Sequence, residues 1–149
     1  MRSLTRRFVS CVAALAATAL VFSAMAVAAS PHFIGTPTIT QSGNTLVVNF
    51  KAAGLGNVPS ATFSLTGTVD VFSRCYTKSG NKPQAANKQE TITVNSTKTF
   101  PVRNGQTTGS FTITPLSTLK CPGGQRVVIE SYRYDLTLSG QGISHRFTS

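Results

Sequence analysis

Between Thr62 and Cys75 the chain alternates with period two, and that alternation limits what it can become. Phe63, Leu65, Val69, Val71 and Cys75 share one parity, while Thr62, Ser64, Thr66, Thr68, Asp70 and Arg74 share the other. In extended backbone successive side chains point to opposite faces, so the first set lines a core and the second meets solvent. A helix would scatter both sets around its axis. Gly67 interrupts the apolar set and predicts a bulge or a close backbone approach. Phe72 falls among the polar residues and is a candidate exposed aromatic.

The same reading extends along the chain. Segments 37–41 and 45–51 are joined by Ser42-Gly43-Asn44, a hairpin signal. A strand from Thr91 to Asn95 continues past Ser96 toward Val102, and Asn104-Gly105 turns the chain into Thr108–Thr114. In Arg126–Ser139 the apolar parity starts with Val127 and Ile129 and ends with Tyr132, Tyr134, Leu136 and Leu138. A parity switch inside one strand requires a bulge, placed here near Ser131. Residues 140–142 turn into a last strand, Ile143–Phe147. Two loops stand out, Lys51–Ser60 and a polar, basic one at Tyr76–Gln89. About seven short strands with frequent turns predict an all-β, immunoglobulin-like sandwich of antiparallel sheets.

The first 29 residues read differently. Arg2, Arg6 and Arg7 precede an uncharged apolar run, Phe8–Ala29, that ends in small residues. This is the layout of a signal peptide, so residues 1–29 are expected to be removed and 30–149 to form one secreted domain. A periplasmic location, or an uncleaved leader acting as a membrane anchor, are the alternatives; after cleavage no stable membrane insertion is expected. Loss of the leader removes Cys11 and leaves Cys75 and Cys121, which in an oxidising compartment are expected to form one disulfide.

Ala53-Gly54-Leu55-Gly56-Asn57, Cys75, Ala85-Ala86-Asn87-Lys88-Gln89 and Cys121-Pro122-Gly123-Gly124-Gln125 resemble a group of small, secreted, single-domain bacterial proteins, largely actinobacterial. The resemblance covers nearly the whole mature chain. It implies export, one disulfide and a single β domain, and it carries no active site across. A looser likeness, at the level of fold, is to the immunoglobulin-like apoproteins of enediyne antibiotics, although those have two bridges and are acidic.

Catalysis is poorly supplied. The only acids are Asp70, Glu90, Glu130 and Asp135, none adjacent in sequence, and no Gly-x-Ser-x-Gly elbow is present. No cofactor or metal site is expected. An amino-terminal copper site using His32 would need an amide proton that Pro31 lacks. Carbohydrate platforms are scarce, because the chain has no Trp and Tyr132 and Tyr134 are expected to face the core. Charge is more informative. The mature domain carries eleven cations against four acids, a net of +7. A bridge from Cys75 to Cys121 would bring Arg74 near Lys120; Lys78, Lys82 and Lys88 lie on the basic loop, and Arg126 opens the strand that follows. These six are the candidate anion-binding residues. They favour an extracellular polyanion or cell-envelope component, with no sequence-specific nucleic-acid role expected. The reading is therefore a non-enzymatic binding or interaction module. A carrier or inhibitor acting through its loops is the alternative, and a hydrolase ranks last.

Overall fold

The computed structural model describes residues 29–79 and 83–149. The proposed leader up to residue 28, and Lys82 among the candidate cations, lie outside the described residues. Eight strands form: β1 (His32–Phe33), β2 (Thr38–Ser42), β3 (Thr45–Ala53), β4 (Ser60–Thr77), β5 (Pro83–Pro101), β6 (Thr107–Ile113), β7 (Gln125–Gly140) and β8 (Ile143–Thr148). There is no helix among the described residues.

The strands build two antiparallel sheets. In the first, β3 is central, with β1 and β2 along one side and β6 along the other. The second has the order β5-β4-β7-β8. The chain changes sheets after β3, after β5 and after β6. This is an immunoglobulin-like sandwich in which β5 pairs with β4 in the second sheet.

The alternation read from sequence is the alternation of burial. Leu46, Val48, Phe50 and Ala52 of β3 face Phe63, Leu65, Val69 and Val71 of β4, all buried. Aromatic rings fill the layer between the sheets. Phe50 and Phe63 lie 4.7 Å apart, Phe100 meets Phe50 edge-on at 5.3 Å, and Phe111 meets Phe100 at 5.7 Å. Such pairs add a little beyond the large area each ring withdraws from water. Tyr132 is buried, and Tyr134 packs half-buried against the same core.

Gly67 is a close approach and not a bulge. Register runs unbroken through it, opposite Val94 on one side and Leu136 on the other. Its φ is 137°, and a Cβ there would overlap the backbone carbonyl of Asp135. The parity switch in β7 does produce a bulge: Phe72 pairs with Ser131, but Ser73 pairs with Ile129, leaving Glu130 as the extra residue.

The segment Tyr76–Gln89 is mostly strand and not loop. β5 begins at Pro83 and pairs back onto β4, with Arg74 opposite Asn87 and Tyr76 opposite Pro83. The hairpin is therefore long, and the second sheet extends well past the end of the first. The β6–β7 connection, residues 114–124, runs along that extension. Cys75 and Cys121 are joined by the expected disulfide, with Cα atoms 5.6 Å apart.

Candidate functional site

The disulfide fixes one end of the molecule. Cys75 is fully buried on the inner face of β4, two residues beyond Ser73, which is 2% exposed. The first sheet does not supply the partner for Ser73. The connection and the neighbouring strand do: Ser117 Oγ lies 2.6 Å from Ser73 Oγ, which also donates to the Lys88 carbonyl at 3.2 Å. Pro115 is fully buried in the same segment.

A single carboxylate holds this segment down. Glu90 pairs in register with Val71, so it projects to the inner side of β5. Its Oε2 accepts the Ser117 hydroxyl at 2.9 Å and the Thr118 backbone N–H at 2.8 Å. Oε1 accepts the Thr118 hydroxyl and is ion-paired with Lys88 at 3.0 Å. The Thr118 hydroxyl is the largest influence on its acidity, followed among the stabilising groups by Lys88. Together these donors hold the Glu90 carboxyl well below its ordinary value, at about 2. A carboxylate that accepts so many donors is stabilised in its charged form.

The outer face at this end has a second arrangement. In a bulge two residues oppose one, so Glu130 is turned outward beside its neighbour. There it accepts the Tyr76 hydroxyl at 2.8 Å and lies 3.5 Å from Arg74 Nε. The hydrogen bond to Glu130 is also the first cause of a raised pKa at Tyr76. Arg126 pairs in register with Tyr76 across the β4–β7 ladder. Farther along this face the Arg133 guanidinium sits 5.3 Å above the Phe72 ring, so Phe72 is half-buried and not open.

The six candidate cations thus have distinct positions. Arg74 and Arg126 lie on the outer face of the second sheet. Lys88, opposite Ser73, belongs to the inner side and is engaged by Glu90. Lys120 is exposed beside Cys121 on the connection. Lys78 is exposed at the hairpin end, where its backbone N–H bonds Gly124 O at 3.1 Å. The five described cations gather at one end but wrap around it. Sequence reasoning missed the two acids there, Glu90 and Glu130. The parity switch was the available signal for Glu130; none pointed to Glu90.

The other two acids are also tied down. Asp70 accepts the Thr91 hydroxyl at 2.6 Å, from the residue opposite it on β5. Asp135 receives both Arg146 Nε and Nη2, at 2.7 and 2.6 Å. That two-pronged bond, above all, lowers the pKa of Asp135. His32 Nδ1 lies 2.9 Å from the Ser30 carbonyl oxygen, and His145 packs edge-on against Phe147.

No protein-family model and no curated protein matches the chain.

Proposed function

We propose that this protein is an extracellular binding module that holds an anionic polymer at the disulfide end of its sandwich. One observation carries the reading: Arg74, Lys78, Lys88, Lys120 and Arg126 surround the end of the sandwich that the Cys75–Cys121 bridge ties together. A polymer contacting several of these side chains would release counterions from both partners, so its affinity would fall steeply with salt. Anionic wall polymers and acidic polysaccharides have the required chemistry, and the cell envelope is where an exported domain would meet them.

The reading of a binding domain, and not an enzyme, rests on the carboxylates. All four make strand-to-strand or strand-to-segment contacts. A general acid requires a raised pKa near the working pH, whereas Glu90 is pulled to about 2.

The test is retention on a polyanionic matrix over a salt gradient, beside a reference protein of equal net charge and size. Elution at distinctly higher salt than the reference supports the proposal. Co-elution with the reference rejects it.

A further inference from the structure

The second sheet ends on an unusual strand. β5 is 19 residues long and stands at the edge of its sheet, laddered to β4 and to no other strand among the described residues. A long open edge is a template for another strand. Natural edges are blunted by prolines, charges or covering loops. Here the prolines stand only at the two ends, Pro83 and Pro101, and the charges Lys88, Glu90 and Lys98 share the inner parity. The 114–124 connection is bonded at Glu90, which leaves residues 91–97 without a charge or a proline.

The middle of that edge carries two further features, and both centre on Val94. The first is a groove of about 470 Å³ between the edge and the end of β6, lined on the β5 side by residues 92–96. Leu116 stands on its far wall and is 68% exposed, the largest such value among the exposed large hydrophobic residues. Val94 is buried, while Ile92 and Ile113 are partly buried beside it.

The second feature is the sequence itself. When β5 is set antiparallel to a second β5 with Val94 opposite Val94, Glu90 falls opposite Lys98 twice over, once on each side of the axis. Each keeps its contacts within its own copy, Glu90 to Lys88 and the 114–124 segment and Lys98 to the Ser110 carbonyl at 3.3 Å. The two therefore attract across the joint as opposite charges and not as a new contact pair. Thr91 meets Thr97, and Thr93 meets Asn95, on the outer face. Hydroxyl pairs of this kind already span β4 and β5, at 2.9 Å for Thr62–Thr99 and 2.8 Å for Ser64–Thr97. Shifting the register by two residues in either direction loses the pairing of opposite charges. Opposite charges and hydroxyl pairs facing one another across a ladder are favourable, and like charges are not.

We infer that the partner of this edge is a second copy of the chain, joined β5 to β5 in antiparallel register about Val94. A two-fold axis perpendicular to the sheet keeps both inner faces on the same side. The second sheets then form one eight-stranded sheet, and the exposed Leu116 side chains are covered at the joint. Closed two-fold assembly also removes the free edge that invites open-ended aggregation. The joint is centred away from the proposed anion site at the end of the hairpin and shares with it only Glu90, the partner of Lys88.

Sedimentation of the protein, produced with its own leader in a secreting bacterial host, tests the inference. The expected result is a reversible dimer in the micromolar range. Leu116→Lys leaves the monomer fold unchanged, because that side chain is already in solvent, and weakens dimerisation at least tenfold. Val94→Cys lies on the axis, with Cα atoms of paired strands about 5 Å apart, inside disulfide range. It is expected to yield a covalent dimer on oxidation, whereas Thr99→Cys, off the axis, is not. A monomer at several hundred micromolar overturns the inference. So does a dimer that Leu116→Lys leaves intact, or equal cross-linking of the two cysteine variants.

Discussion

At the scale of single residues, Glu90 and Gly67 show how much one position can decide. Glu90 holds the 114–124 segment against β5 through its charge. Its folded pKa, about 2, lies below the ordinary value of 4.5. The stability it contributes is therefore present above about pH 5 and is lost as pH falls through about 2. Thermal unfolding followed over that range should show a steeper acid loss of Tm for the natural chain than for Glu90→Gln. The variant should also be the less stable of the two at neutral pH. Gly67 is a backbone case. Its φ of 137° and its closeness to Asp135 leave no room for a side chain. Gly67→Ala should cost more than about 1 kcal/mol in denaturant unfolding, since it meets both an unfavourable φ and a clash with β7. In the core, Phe63→Ala should cost roughly 3–5 kcal/mol, because its ring packs against Phe50.

At the scale of elements, the β4–β5 hairpin and the segment beneath it form one unit. The bridge closes 46 residues, and chain-entropy arithmetic gives roughly 4 kcal/mol for a loop of that size. Replacing Cys75 and Cys121 together by Ala should lower stability by about that amount. Hydrogen exchange should report the loss first in residues 114–124 and at the end of β4, ahead of the core strands. The elements were unequally legible in the sequence. β4 announced itself through strict alternation of Phe, Leu and Val with Thr and Ser, and the bulge in β7 through its change of parity. The first part of β5 did not. Its Gln84-Ala85-Ala86-Asn87-Lys88-Gln89 stretch lacks β-branched residues and is largely exposed, so neither propensity nor burial marks it. Pairing with β4 determines it, and pairing leaves no local trace. β1 is only two residues long and is defined by Ala52 and Ala53 opposite it.

At the scale of the molecule, the question is whether position in the fold or bulk charge governs binding. Adjacency to the two cysteines was enough to place Arg74 and Lys120 at one end, whereas Lys88 comes to that end on a strand of the β4–β5 hairpin and not on the expected loop. Which face each takes depends on register: Lys88 lies opposite Ser73, and Arg126 lies opposite Tyr76. The partner acids came from farther along the chain and were not foreseen. The opposite end of the sandwich offers a control. Lys51 and Arg103 are exposed there, beside the β5–β6 turn and the end of β3. The decisive measurement is the affinity for a labelled anionic polysaccharide, as a function of salt, of Arg74→Ala/Arg126→Ala beside Lys51→Ala/Arg103→Ala. Both lose two charges. The first pair should bind at least tenfold more weakly than the natural chain, with a shallower salt dependence, while the second stays within about twofold of it. Equal losses in the two double variants would mean that the disulfide end has no special part in binding.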